Sequence, residues 1–143
     1  MKKNLKKLLE FGKEKALSLI LLVEASLDNL DYYDAARKYS PKELEPYDAL
    51  ANRFIRAVET CIKFFRTYEY YLYTINSDTY RDLLLNMEKQ QMISNADIWI
   101  DMRDIRNRIV HDYLPGQVKN IFDLVMGDFK TELVNTKHRI EVI

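Results

Sequence analysis

The stretch ALANRFIRAVETCIKFF, from Ala49 to Phe65, decides the fold class. Its apolar side chains recur at every third or fourth position, which is the spacing of one face of an α-helix and not the alternation of a β-strand. The positions are Ala49, Leu50, Phe54, Ala57, Val58, Cys61, Phe64 and Phe65. The pattern continues without a break to about Thr74, so we predict one long buried helix.

Capping signals locate the start of this helix and the extent of the one before it. A first helix is expected from about Leu5 to Arg37, with Gly12 as a weak point. The long helix is expected to begin within 41–47, because Ser40 and the proline after it offer a cap and a first-turn residue, while Pro46 offers a second start.

Three shorter helices are predicted after the long one. The third follows a cap at Asn76, Ser77 or Asp78 and ends near Gln91, and the fourth follows a capping box made by Ser94 and Asp97. The fourth ends at about His111 or Tyr113, because Pro115 and Gly116 stop it, and the last begins at about Gln117. The last helix is expected to direct to the core Val118, Ile121, Phe122, Val125, Phe129 and Leu133.

The totals of the 143-residue sequence agree with a helical bundle. Three glycines, three prolines and a hydrophobic content of 48% leave little material for a sheet with many tight turns. No internal repeat or long linker is visible, and the length suits one core. We therefore predict an all-α protein, an antiparallel bundle of four to five helices, with one domain over 1–143.

Charge and cysteine content exclude several classes of function. The 22 basic side chains balance 22 acidic ones, so no global positive field attracts long nucleic acid and any polyanion contact must be local. Cys61 is the only cysteine, which excludes a disulfide framework and a zinc knuckle. The N-terminal lysines imitate a signal peptide imperfectly, because the apolar run covers only Ala16 to Val23, which is also too short for a membrane span. A cytoplasmic protein is expected.

The segment RDIRNRIVHDYLPG, from Arg103 to Gly116, places an unusual set of polar residues at the end of the fourth helix. At about 100° per residue, one narrow stripe faces the core and the polar residues have a surface of their own. The predicted core stripe is Ile98, Met102, Ile105 and Ile109. Arg106 and Tyr113 lie together on its flank, and Asn107 and His111 lie one turn apart farther round.

These side chains are suited to chemistry on a phosphate. His111 is in the last turn, where the helix dipole favours a cation, so it can transfer a proton. Arg106 offers a planar fork for phosphate, and Asn107 can orient the imidazole or hold a substrate oxygen. The set fits metal-free cleavage of RNA. From these residues alone, a solvated helix face or a helix cap is the alternative.

The motif RNRIVHDY, with the pattern Arg-x4-His-x-Tyr, resembles the signature of HEPN domains, and more narrowly that of HepT-like toxins paired with minimal nucleotidyltransferase antitoxins. The resemblance implies a homodimer in which two copies of Arg106 and His111 form one composite cleft that cuts RNA without a metal or a cofactor. It implies that Arg106 stabilises the phosphate, that His111 transfers the proton and that Asn107 positions the histidine or the substrate.

The resemblance also implies a means of control and leaves one alternative open. Tyr113 matches the tyrosine to which the partner enzyme adds nucleotidyl groups, and an added AMP would fill and acidify the cleft. Asp104 and Arg103 are candidates for supporting roles, although Asp104 is equally suited to an ion pair with Arg108. The family also includes noncatalytic substrate-binding partners of nucleotidyltransferases, which is the alternative function.

A cluster of tyrosines lies near the junction of the second and third helices. Its members are Tyr68, Tyr70, Tyr71, Tyr73 and Tyr80. They can stack on the bases of single-stranded RNA, but such clusters more often form core or dimer contacts, and we favour that interpretation. No role is assigned to His138, and the N-terminal lysines are interpreted as a solvated face.

Overall fold

The computed structural model describes residues 2–143, and within that range it contains helices and no strand. The helices are α1 (Lys2–Leu27), α2 (Pro41–Tyr73), α3 (Tyr80–Lys89), α4 (Ala96–His111), α5 (Pro115–Met126) and α6 (Asp128–Glu141). The helices α5 and α6 together correspond to the predicted last helix, which is divided at Gly127. When these two are counted as one unit, the bundle has five helical units. The predicted all-α bundle is confirmed.

The two long helices α1 and α2 pack against each other in antiparallel directions. Gly12 of α1 lies against Phe64 of α2, and Arg53 of α2 donates to the carbonyl of Leu22 at 3.1 Å. A Cβ added at Gly12 would lie 3.3 Å from Cδ1 of Phe64, so the glycine permits a close approach of the two helices. The helix runs through Gly12 without interruption, so the expected weak point is a packing position.

The motif-bearing helix α4 lies between α2 and α6. The Trp99 ring packs edge-on against Phe65 of α2 with 5.0 Å between centroids, and its indole N–H donates to Glu132 of α6 at 2.8 Å. One end of α4 is therefore anchored to both neighbours by a completely buried side chain. Farther along α4, Arg106 contacts Glu59 of α2, so these helices also run antiparallel.

The first helix ends at Leu27, and the prediction that it reaches Arg37 is wrong. The Asp34 carboxylate accepts from the backbone N–H of Ala36 at 2.9 Å, a local hydrogen bond that competes with helix. The Tyr33 ring stacks on Phe122 of α5 at 5.9 Å. The chain leaves the helix because its tyrosines pack across the bundle.

The predicted run of apolar residues at Ala16–Val23 lies within α1. Ala16, Ile20 and Val23 are buried in the core. Over residues 2–143, no helix is both long enough and apolar enough to cross a membrane.

The long helix α2 has the predicted limits. Ser40 caps it and Glu43 completes the capping box, so the chain enters the helix at Pro41. Pro46, the second candidate start, lies inside the first turns. Thr74 ends the helix with a left-handed backbone, φ 57°.

The third helix begins later than predicted. Its cap is Thr79, whose hydroxyl accepts from the N–H of Asp82 at 3.1 Å, and not a residue of 76–78. Ser77 is unavailable as a cap because its hydroxyl donates to the buried Glu69 at 2.6 Å.

The cap of α4 is Asn95, and the prediction of Ser94 is wrong. The Asn95 side chain accepts from the N–H groups of Asp97 and Ile98. The Ser94 backbone N–H donates instead to Glu132 of α6 at 2.9 Å. A contact distant in sequence therefore moves the helix start by one residue.

The predicted last helix begins at Pro115 and is divided at Gly127. Pro115 does not only stop α4, because a proline is compatible with the first position of the following helix. A Cβ at Gly127 would lie 2.8 Å from the backbone oxygen of Asp123, so this tight junction requires glycine.

Candidate functional site

The predicted core stripe of α4 is confirmed only in its middle. Met102 and Ile105 are buried, but Ile98 and Ile109 are only partly buried, and Trp99 is completely buried. The buried face of α4 is thus rotated from the predicted stripe toward Trp99. The polar side chains Arg103, Asp104, Arg106, Asn107 and His111 are all exposed, as predicted.

Four of the predicted site residues share one groove of about 580 Å³ between α2, α3 and α4. The lining residues are Glu59, Thr60, Ile62, Lys63, Arg66, Tyr80, Arg103, Asp104, Arg106 and Asn107. A volume of this order is within the range of sites for small molecules and cofactors. We call this feature the α2–α4 groove.

Carboxylates orient the motif residues at one end of the α2–α4 groove. Arg106 donates to Glu59 at 2.7 Å, and Asn107 donates to Asp104 at 3.1 Å. Over residues 2–143 no hydrogen bond joins Asn107 to His111, so the expected orientation of the imidazole by Asn107 is absent from the isolated chain.

Asp104 does not form the ion pair with Arg108 that the sequence also allowed. Arg108 lies 3.6 Å from Asp112, one turn toward the C-terminus, and this ion pair replaces the expected one with Asp104. The backbone N–H of Asp112 also closes the helix on the carbonyl of Arg108 at 2.7 Å.

Cations converge at the other end of the α2–α4 groove. The guanidinium carbon of Arg103 lies 3.6 Å from the centroid of the Tyr80 ring, and that of Arg66 lies 5.3 Å from it. Arg66 also donates to the carbonyl of Ser77 at 3.0 Å. Within the described range 2–143, neither of these arginines nor Lys63 forms an ion pair with a carboxylate. The groove therefore has one end that attracts anions.

His111 and Tyr113 lie outside the α2–α4 groove. His111 is the last residue of α4, one turn beyond Asn107 along the helix axis, and Tyr113 follows the end of the helix, so both lie past the end of the groove. Beside it the chain exposes Val110 by 72%, Tyr113 by 82% and Leu114 by 51%. We call these three residues the α4 end patch. Apolar side chains exposed together at a helix end are typical of a surface that contacts a partner.

The contribution of α2 to the groove was not predicted from the sequence. Glu59, Lys63 and Arg66 were assigned no role, although they recur at four and three residues and so share one polar face of the helix. That spacing was the only signal, and it does not indicate which helix faces these residues.

The tyrosine cluster divides into different environments. Tyr68 is partly buried and stacks on Phe64 at 6.1 Å, whereas Tyr70, Tyr71 and Tyr73 are more than a third exposed. These three are therefore not core residues, and the other part of the interpretation, dimer contacts, stays a prediction. Tyr80 lies in the α2–α4 groove beneath Arg103.

Cys61 does not contribute a nucleophile. Burial raises the pKa of its thiol to about 12, so the thiol is protonated at neutral pH. Within 2–143, no three side chains of the types His, Cys, Asp and Glu are grouped in a way that would hold a metal ion.

The sequence matches a known protein family over most of its length. Residues 22–142 match the family described as nucleotidyltransferase substrate binding protein like, a range that contains α2 to α6 and every residue of the α2–α4 groove. No curated protein and no solved structure shows significant similarity. The family is of HEPN type and is associated with minimal nucleotidyltransferase partners, as the resemblance implied. The chain belongs to the nucleotidyltransferase substrate-binding-protein-like family.

Proposed function

We propose that this protein is the substrate-binding subunit of a nucleotidyltransferase and that it acts in the cytoplasm with a separate enzyme that performs the transfer. The observation that carries the proposal is the family match over residues 22–142. The α2–α4 groove supports it, because a binding subunit needs a concave site with polar groups directed into it.

The α4 end patch is the proposed docking surface for the enzyme. Val110, Tyr113 and Leu114 are all exposed within the segment 110–114, and burial of their apolar surface against a partner would stabilise a complex. Tyr113 combines a large apolar ring with a hydroxyl, which is typical of residues that dominate binding energies. Docking here would also bring the enzyme to the helix that lines the groove.

Substitution of Val110 by aspartate is expected to weaken the complex with the nucleotidyltransferase by at least roughly a hundredfold, because a buried, unpaired carboxylate costs several kcal/mol. The measurement is the dissociation constant for minimal nucleotidyltransferases of the same genome, by calorimetry. Val142→Asp is the matched control, because Val142 is also exposed, by 84%, but lies near the C-terminus and outside the α4 end patch. If no such enzyme binds the unaltered protein, the proposed function fails. If Val110→Asp binds the enzyme as tightly as Val142→Asp, the α4 end patch is not the docking surface.

A second candidate function is a metal-independent ribonuclease toxin. It is favoured by the exposure of Arg106, Asn107 and His111 on one helix. Because Arg106 is directed to the α2–α4 groove and His111 is not, cleavage would require a homodimer in which two copies meet at the α4 end patch. In that composite cleft Arg106 stabilises the phosphate, His111 transfers the proton and Asn107 positions the substrate. Nucleotidylation of Tyr113 by an antitoxin enzyme would then block the cleft by bulk and charge.

His111→Ala is expected to abolish RNA cleavage if this second function holds, since loss of a general acid or base costs roughly 10²- to 10⁴-fold. The assay uses a mixed RNA pool with EDTA, after mass spectrometry shows that Tyr113 is unmodified. His138→Ala is the control, because His138 is the other histidine and is exposed on α6. Failure of the unmodified homodimer to cleave RNA would leave the binding subunit as the only proposed function.

A further inference from the structure

The cationic end of the α2–α4 groove is built from three helices. Lys63 and Arg66 come from α2, Tyr80 from α3 and Arg103 from α4. Of these residues only Arg103 belongs to the motif segment 103–116, and Tyr80 belongs to the tyrosine cluster. We infer that this end of the groove binds the phosphate groups of a small ligand of nucleotide size.

The two arginines are held in position before any ligand arrives. The guanidinium of Arg103 lies on the ring of Tyr80, and that of Arg66 is held by the carbonyl of Ser77. Ser77 is itself held by Glu69, which accepts from its N–H at 2.8 Å and its hydroxyl at 2.6 Å. Fixed donors bind better than mobile ones because less side-chain entropy is lost on binding.

The distribution of charge determines where phosphate would lie. Glu59 and Asp104 occupy the end of the groove at which Arg106 and Asn107 are already hydrogen-bonded. These carboxylates repel an anion, while Lys63, Arg66 and Arg103 form no ion pair with a carboxylate within residues 2–143. The Glu69 carboxylate lies near Arg66, but it is buried and already accepts hydrogen bonds from Ser77 and Asn86. Arginine forks match the geometry of phosphate oxygens. The phosphate is therefore assigned to the end of the groove beside Tyr80.

A small ligand fits these observations better than an RNA strand. The groove has a volume of about 580 Å³, and the chain has no net charge. An RNA strand gains affinity from a track of cations along many phosphates, whereas the α2–α4 groove presents its cations without a carboxylate ion pair, Lys63, Arg66 and Arg103, at one end. This inference rests on the proposed function. Nucleotidyl transfer has a nucleoside triphosphate as donor and a second molecule as acceptor, and either could place a phosphate in the groove.

The test is calorimetric titration of the full chain with ATP, AMP, pyrophosphate and a nine-nucleotide single-stranded RNA. ATP and pyrophosphate are expected to compete for one site. Arg103→Gln and Arg66→Gln should each weaken both by roughly tenfold or more, because each removes charge-assisted hydrogen bonds to phosphate. Tighter binding of ATP than of pyrophosphate identifies the nucleotide donor, and equal binding identifies a phosphate carried by the acceptor.

Arg81→Gln is the matched control, because Arg81 lies on α3 close to Tyr80 but pairs with Asp97 and does not line the groove. Tyr80→Phe should retain binding, since the ring remains beneath Arg103, and Tyr80→Ala should weaken it. The inference is overturned if ATP and pyrophosphate do not bind, if Arg103→Gln binds them as tightly as the unaltered protein, or if only the RNA binds.

The two proposals can fail separately. The groove variants leave Val110, Tyr113 and Leu114 unchanged, so they should bind the nucleotidyltransferase normally. Phosphate binding without any enzyme partner would overturn the proposed function and leave the groove assignment standing. Normal binding of the enzyme by a protein that binds no phosphate ligand would overturn the groove assignment alone.

Discussion

Glu132→Ala is expected to lower the free energy of unfolding by roughly 3–5 kcal/mol, among the largest effects of any single substitution in this protein. The Glu132 side chain is buried on α6 and accepts from the indole N–H of Trp99 at 2.8 Å and from the backbone N–H of Ser94 at 2.9 Å. Alanine leaves both donors without their acceptor and opens a cavity beside Trp99. Because Trp99 anchors α4, the helix that carries the motif would lose its attachment to α6.

The measurement is urea unfolding followed by circular dichroism. Glu132→Gln retains one acceptor oxygen and should cost about half as much as alanine, since hydrogen bonds to a neutral acceptor are weaker. Glu141→Ala is the control, because Glu141 lies on the same helix and is exposed. Its effect should stay within about 0.5 kcal/mol. A loss below about 1 kcal/mol for Glu132→Ala would contradict the assigned role.

Glu69→Gln is expected to make the loss of stability in acid less steep and to lower the stability at neutral pH by roughly 2–3 kcal/mol. Burial by itself raises the pKa of Glu69, but hydrogen bonds from Ser77 and Asn86 and the nearby Arg66 guanidinium together lower that pKa below its ordinary value. A carboxyl whose pKa is lowered on folding stabilises the fold above its unfolded pKa. This contribution is lost as the pH falls through the lowered folded value.

Unfolding free energies measured between pH 7 and pH 3 would check this expectation. The unaltered protein should lose stability over the acidic part of this range more steeply than Glu69→Gln. Glu45→Gln is the control, because Glu45 is an exposed carboxylate on the same helix. Identical pH profiles for the unaltered protein and Glu69→Gln would show that the carboxylate contributes nothing through its charge. Glu69 holds Ser77, and the carbonyl of Ser77 holds Arg66. Glu69→Gln should therefore also bind phosphate ligands more weakly.

Local sequence predicted the parts of the fold that depend on neighbouring residues. The helix α2 begins at Pro41 and α4 ends at His111 as expected, because caps and apolar periodicity act within one or two turns. The shared groove position of Arg103, Asp104, Arg106 and Asn107 could also be predicted in part, since these residues lie within little more than one turn of a helix.

The family, but not the choice between the two functions, was accessible from the sequence. The pattern of Arg106, His111 and Tyr113 indicated a HEPN-type family with nucleotidyltransferase partners, and the family match agrees. The same pattern favoured the ribonuclease, whereas the match supports the substrate-binding alternative better. A short motif indicates a family because its side chains are shared, but it does not contain the interfaces that separate catalysis from binding.

The sequence by itself therefore determined the helical class, the limits of α2, the end of α4 and the face of α4 that carries the motif. Only the tertiary structure decided that α1 stops at Leu27, that Glu69 and Glu132 are buried, and that α2 and α3 complete the groove. The reason is physical. Helix periodicity and caps are short-range effects, whereas a buried carboxylate or a groove between helices depends on which distant surfaces meet, and no local pattern specifies that contact.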